Sequence, residues 1–547
     1  MSTLGVVASG PAADAIAVRV PELVGERFAS RLFEQDATLW GPDAESEASI
    51  RLSWVGLPRS SRPLVGEVAA LREHLRGEGV DRVVLCGMGG SSLAPEVICA
   101  TAGVPLVVLD SSQPDMVRSA MVDLERTVVV VSSKSGSTVE TDSQRRAFEA
   151  AFTQAGIDPK GRIVIVTDPG SPLDKDSREA GYRVVNADPH VGGRYSALTA
   201  FGLVPSGLAG ADVEALLDDA EAVSDVLAAD DEANPALRLG AAMAGTSPLR
   251  DKLVLVDDGS GIVGLPDWTE QLIAESTGKN STGILPVVVQ EEEEWEVEWP
   301  PRDVTVLRLK GDAEDPDSPD ELVQPERSDI EVTGSLGAQL LLWEVATAVA
   351  GRLLGINPFD QPDVESAKKA ARGLLEQKGG AAQAPAFTDG AVEVRALGDG
   401  EGWLGDASTV VQAVDALLDQ LGPTGYVAVM AYLDRLADAP LAGTRPKLAA
   451  LVERPVTFGW GPRFLHSTGQ FHKGGPDIGV YLQITAEPHE DLEVPGRDFT
   501  FGEFIAAQAA GDAQVLAEIG RPVLRLHLTD HDAGLQQVVA ALSRHAR

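Results

Sequence analysis

Five stretches gather residue types that bind anions or move protons. Ser132-Ser133-Lys134-Ser135-Gly136-Ser137-Thr138 packs hydroxyls, one ammonium and a glycine into a single loop. Gly87-Met88-Gly89-Gly90-Ser91-Ser92 is a second small-residue turn. Gly192-Gly193-Arg194 sets an arginine on backbone that can approach a ligand closely. Glu275 sits at the end of the helical stretch PDWTEQLIAESTGKN, with Gly278 as its cap. A carboxylate there faces the negative end of the helix dipole, and a local rule broken in this way can mark a site. Taken alone, Glu275 also fits a solvated glutamate. His466 and His472 lie six apart amid glycines and hydroxyls. With no cysteine beside them, proton transfer is the expected chemistry rather than metal binding.

The elements that must position these groups follow from apolar patterning. Val128-Val129-Val130-Val131 reads as a strand buried on both faces, as in a parallel sheet. It stops in the 132–138 loop, and a helix opens at Glu140. Unpaired N–H groups at a helix start, added hydroxyls and the dipole make an anion site, expected to hold a phosphate. Further strands are expected at 82–86, 105–110, 162–167 and 182–186, alternating with helices. That alternation means a doubly wound parallel sheet, whose ligands bind outside the strand C-termini. A second such unit starts at Lys252-Leu253-Val254-Leu255-Val256-Asp257. Leu336 to Leu354 predicts a buried helix, and a helix start near Gln361-Pro362 places Lys368 about two turns in, ordinarily toward solvent. Residues 291–299 read as a solvated acidic and aromatic edge, and 312–327 as an exposed loop. A small-residue linker at 379–386 precedes a third alternating stretch.

The chain has 547 residues, too many for one core, so two or three domains are expected. The expected divisions are 1–235, 236–378 and 379–547. A formal charge of -38 argues against nucleic acid or an anionic membrane as partner. A phosphate must therefore be held by local donors. Two cysteines, Cys86 and Cys99, lie among apolar neighbours and suit a reducing cytoplasm. No apolar run approaches a membrane span, and no secretory signal is expected.

The turn GMGGSS, the loop SSKSGSTVET, and the segments GGRYS, AESTGK and NPFDQPDVESAK occur in one order over residues 80 to 370. In these motifs the chain resembles the glucose-6-phosphate isomerase family. The tract from 376 onward resembles the C-terminal part of the isomerase found fused to transaldolase in some bacteria. The resemblance implies an α/β protein with two sugar-isomerase-type αβα sandwich domains with parallel sheets, plus an additional α/β C-terminal segment. It implies neither metal nor cofactor, a sugar phosphate as ligand, and a homodimer. It also implies that glucose 6-phosphate and fructose 6-phosphate are interconverted through a cis-enediol.

By the same resemblance, Gly90, Ser91, Ser133, Lys134, Ser135, Thr138 and Gln361 bind substrate. Glu275 is the base that moves the C2 proton, Arg194 stabilises the enediolate, and Lys368 lies near the reacting end. The family's ring-opening histidine falls between the glutamate and the lysine. Here no histidine lies between His190 and His466. The turn Gln470-Phe471-His472-Lys473-Gly474-Gly475-Pro476 resembles the family's histidine turn, so His472 is the first expectation and His466 the second. Two alternatives stand beside this reading: a dual phosphoglucose/phosphomannose isomerase, and a non-catalytic sugar-phosphate-binding regulator.

Overall fold

The computed structural model describes residues 4–311, 327–376, 384–398 and 402–544, with the side chains of 364–368 and 376 excepted. The loop expected at 312–327 and the linker at 379–386 lie largely outside the described residues.

Sixteen strands form three sheets among the described residues. The first, β1 (Gly5–Ser9), leaves the N-terminus and joins a sheet far along the chain. The strands β2 (Arg82–Gly87), β3 (Val107–Leu109), β4 (Thr127–Ser132), β5 (Ile163–Thr167) and β6 (Arg183–Asn186) make a sheet in the order β3-β2-β4-β5-β6. All its pairings are parallel. The second sheet takes β7 (Lys252–Asp258), β8 (Leu285–Val288), β9 (Val304–Lys310) and β10 (Asp329–Thr333) in the order β1-β10-β9-β7-β8, with only β1 antiparallel. The third holds β11 (Phe387–Asp389), β12 (Val392–Leu397), β13 (Tyr426–Tyr432), β14 (Val456–Trp460), β15 (Gly479–Ala486) and β16 (Val523–Leu528), ordered β11-β12-β16-β15-β13-β14. Its β13, β14, β15 and β16 are parallel, and β11 and β12 add on antiparallel. The fold is thus α/β, with mostly parallel sheets.

The valine run behaves as its composition demands. Val128 to Val131 are at most 1% exposed, because helices cover both faces of β4. In the first sheet the order reverses between β2 and β4. The pairing Gly87↔Ser132 therefore puts the two small-residue turns side by side at the strand C-termini.

Within the expected division 1–235, β1 pairs with β10 and so stands in the second sheet. The third sheet is no appendage. Tyr426, Ala428, Met430 and Tyr481 share one apolar core with Val254, Val256, Val287 and Val306 of the second sheet. Phe501 and Val494 enter the core of the first. Burying such a side chain contributes about 1.5–3 kcal/mol, so the C-terminal segment is held by much of its own apolar surface.

The acidic stretch at 291–299 is only in part the solvated edge expected: Glu291, Glu292, Glu293 and Glu298 are exposed, but two of its carboxylates turn inward. Glu294 and Glu296 are buried against Arg445, and Glu296 Oε1 accepts from Arg445 Nη1 at 2.6 Å. Trp299 does remain exposed. No helix among the described residues is long and apolar enough to cross a membrane.

Candidate active site

A cavity of about 590 Å³ opens where the three sheets meet. One wall is the pair of small-residue turns. The helix Val139–Gln154 starts beside them, and its N-cap Thr138 makes no side-chain cap. Instead Ser133 Oγ donates to Thr138 Oγ1 at 3.2 Å, and the amide of Gly136 donates to Ser133 Oγ at 3.2 Å. Gly136 takes φ +71°, which lets the loop turn back. Ser132 Oγ is buried at the cavity without a partner, a donor of the kind a phosphate oxygen accepts. Lys134 is less free than its sequence suggests. Its Nζ donates to Asp168 Oδ2 at 2.6 Å and to the Pro189 carbonyl at 3.3 Å.

Gly90 lines the cavity and is also a packing requirement. A Cβ there would lie 2.0 Å from the carbonyl oxygen of Gly193, so the 87–92 turn and the GGRYS segment touch backbone to backbone. Ser91 and Ser135 line the same cavity.

The second wall carries Glu275, in the last turn of the helix Leu265–Thr277. One turn earlier, Gln271 Nε2 donates to Glu275 Oε2 at 3.2 Å and to the His466 carbonyl at 2.6 Å. Arg194 is 3% exposed and almost fully engaged. Its Nε donates to Ser276 Oγ at 2.8 Å and Nη1 to Gln361 Oε1 at 2.7 Å. Its Nη2 donates to the carbonyls of Pro358 and Asp360 at 3.0 and 2.8 Å. Nη1 also stands 3.4 Å from Glu275 Oε1. The guanidinium is thus a fixed positive charge beside the carboxylate. Lys279 braces the same turn, donating to the carbonyls of Asn357 and Asp360 and to Asp360 Oδ1, each at 2.7 Å. Burial, and then the Arg194 charge, pull its ammonium down to about 8.

The histidines fall the opposite way to the sequence preference. His466 lines the cavity, with Nε2 3.2 Å from Glu140 Oε1. His472 is 2% exposed and faces the third sheet. Its Nδ1 lies 3.0 Å from Tyr426 OH, and its carbonyl accepts from Tyr481 OH at 3.0 Å. Burial, then Lys473 and Arg521, hold its imidazole well below the ordinary value, so it is neutral. His472 is not among the residues that line the cavity. The physical reason is local: in the short helix Gly469–Gly474 both Phe471 and His472 are buried, and the segment before it faces the cleft. Lys368 belongs to the helix Val364–Glu376, but its side chain lies outside the described residues.

Sequence reasoning missed Glu140, Gln271 and Gln508. Glu140 stands in the first turn of its helix, where the dipole favours a carboxylate, a signal that could have found it. Gln271 precedes Glu275 by four, the spacing of one helical face. Gln508 carries no local signal. Its Nε2 donates to Glu140 Oε1 at 2.7 Å, and its Oε1 accepts from Ser112 Oγ at 2.5 Å.

The architecture and this crevice define an α/β protein of the sugar-isomerase sandwich class. A glucose-6-phosphate isomerase from Chlamydia trachomatis shares the fold at a TM-score of 0.51 and 21% identity, over 65% of this chain and 79% of that one. A hypothetical protein from Thermus thermophilus aligns at a TM-score of 0.58 and 25% identity, over 70% of this chain and all of that one. No family model matches the chain. A probable glucose-6-phosphate isomerase from Natronomonas pharaonis is 30% identical over 372 residues, 60% of this chain and 87% of that protein. The glucose-6-phosphate isomerase of Rubrobacter xylanophilus is 30% identical over 385 residues, 59% of this chain and 89% of that protein. The chain belongs to the glucose-6-phosphate isomerase family.

Proposed function

We propose that the chain interconverts glucose 6-phosphate and fructose 6-phosphate by acid–base catalysis through a cis-enediol. The observation that carries this reading is Gln271. Its one amide group ties the carboxylate of Glu275 to the loop of His466, so a base and an acid open into one cavity with the 132–138 loop.

In this reading the phosphate sits against Ser132, Ser133, Ser135 and Thr138 at the helix start, with Ser91 and Gly90 beside it. Lys134 contributes a cation already paired with Asp168. His466, oriented by Glu140, gives a proton to the ring oxygen as the C1–O5 bond breaks, while the O1 hydroxyl releases its proton to water and the C1 carbonyl forms. Glu275 then takes the C2 proton. The electrons of that C–H bond form the C1–C2 double bond, and negative charge develops on the former carbonyl oxygen. Arg194 answers that charge without reorganising, because four hydrogen bonds already fix it. The O2 proton passes to O1 through the cis-enediol, and return of the carbon proton from Glu275 to C1, as the C2–O2 double bond forms, gives the ketose. Gln361 holds the guanidinium, and Lys368 keeps the role beside the reacting end that the resemblance implies.

A cytoplasmic setting suits the buried thiols of Cys86 and Cys99 and the acidic charge. The reading is tested by a coupled isomerase assay on purified protein, wild type against Glu275→Gln. General-base catalysis of this kind is worth about 10²–10⁴ in rate.

A further inference from the structure

The loop between β14 and the short helix Gly469–Gly474 separates two cavities. Leu465 and His466 line the candidate active site, while Arg463, Phe464 and Ser467 line a second cavity of about 460 Å³. The helix Leu265–Thr277 divides in the same way. Gln271 and Glu275 line the first cavity, and Asp267 and Glu270 the second.

The second cavity is short of cations. Arg463 and Arg435 are both engaged by Glu96 and Asp110. Arg445 is engaged by Glu294 and Glu296. Asp267 and Glu270 keep no ion-pair partner among the described residues; Glu270 Oε1 accepts from the neutral Ser467 Oγ at 2.8 Å. Glu294 lines the same cavity, buried, and its Oε2 completes no hydrogen bond beyond its charge contact with Arg445. Burial, then the Asp267 charge, push Glu270 up to about 8, and burial raises Asp267 as well. The opposite wall is aromatic. Phe458 and Trp460 line it edge to face, with ring centroids 5.0 Å apart, and both stay partly exposed. Such rings attract an organic cation and cover its hydrocarbon. A bare metal ion makes no use of that wall. Among the described residues no group of three or more His, Cys, Asp or Glu could hold one.

We propose that this cavity binds an organic ammonium ion with a hydrocarbon stem. The charge sits at Asp267 and Glu270, and the stem lies against Phe458 and Trp460. A ligand seated there touches the loop of His466 from behind. The site uses none of the groups assigned to the isomerase chemistry, so it stands or falls apart from that reading. The charged groups that face Glu270 are Asp267 on its own helix and Arg463 from the loop, with Glu291, Glu294 and Arg445 on the same cavity. The ammonium favours the ionised form of Glu270, so binding drives off its proton.

The test is titration calorimetry on the full chain, with n-hexylammonium as probe and n-hexanol as its neutral counterpart. A chain of charge -38 gathers amines loosely over its whole surface, so variants carry the decision. The expected result is saturable binding of the ammonium and none of the alcohol. Asp267→Asn should weaken it about tenfold, and Trp460→Ala several-fold. Asp43→Asn, at an exposed carboxylate far along the chain, should leave it unchanged. The wild-type affinity should fall by up to about tenfold per pH unit below about 8, and Glu270→Gln should lose that dependence. Circular dichroism checks each fold, and Trp460→Ala decides alone should Asp267→Asn fold poorly. Absence of saturable binding overturns the proposal. So does a wild-type affinity that ignores pH, or equal binding by the cavity variants and Asp43→Asn, which marks a loose counterion only.

Discussion

His466 Nε2 stands 3.2 Å from Glu140 Oε1, although the two residues are 326 positions apart. Glu140 belongs to the helix that starts at the 132–138 loop, and His466 to the loop after β14. The contact ties the 132–138 end of the cavity to the C-terminal sheet. It also separates the two histidines that the sequence offered. His466→Ala is expected to slow turnover of cyclic glucose 6-phosphate by about 10²–10⁴, with a smaller loss on an open-chain analogue. His472→Phe is expected to keep kcat within a few-fold and to cost about 1 kcal/mol of stability, through the hydrogen bond lost to Tyr426. Steady-state kinetics and denaturant melts separate the two.

Lys279 gives a pH signature. Below about 8 its ammonium is charged and holds the carbonyls of Asn357 and Asp360; above that it loses its proton and the turn under Arg194 loses a donor. The rate is expected to fall along an alkaline limb near this value. Lys279→Met should show a lower plateau without that limb, as a kcat–pH profile would report.

Glu344 makes a prediction about stability alone. It is buried in the helix Leu336–Leu354, both carboxylate oxygens are without partners, and burial raises its pKa well above the ordinary 4.5. Below pH 4.5 folded and unfolded forms both hold the proton, so ionisation costs nothing. Above it only the unfolded form ionises, and each further pH unit costs the folded protein about 1.4 kcal/mol until the folded pKa is reached. Glu344→Gln removes this cost. Its stability advantage over wild type should be absent near pH 4 and grow toward neutral pH in urea titrations.

Gly90 tests the backbone contact between the turns. In Gly90→Ala the new Cβ meets the Gly193 carbonyl, which is backbone and cannot swing away. The turns must part, and a shift of about 1 Å at such a site costs about 10² in kcat/KM. A folded Gly90→Ala enzyme with wild-type kcat/KM would contradict the close contact.

The sequence made the first sheet legible because its strands are short apolar runs that end in turns, and Val128–Val131 ends at the loop that lines the cavity. Strand ends moved by no more than two residues, as at β3, which is Val107–Leu109 rather than 105–110. The helix over Leu336–Leu354 was read to the residue. What stayed hidden depends on long-range pairing. Gly5–Ser9 has too few residues to announce a strand whose partner, β10, lies more than three hundred residues on. Glu294 and Glu296 look solvated until Arg445 is brought against them. His466 and His472 share one glycine-rich neighbourhood, and only the packing of Phe471 on Gly278 decides which of them faces the cavity. Gln508 is an ordinary helical glutamine until Ser112 and Glu140 flank it.

The most direct test of the central claim is the conversion of glucose 6-phosphate to fructose 6-phosphate by wild type and by Glu275→Gln, with folding checked by circular dichroism. The variant keeps the shape of the side chain and removes the base. Wild type should isomerise the sugar, and the variant should lose about 10²–10⁴ of kcat with KM little changed. A correctly folded Glu275→Gln protein that isomerises at the wild-type rate would contradict the account.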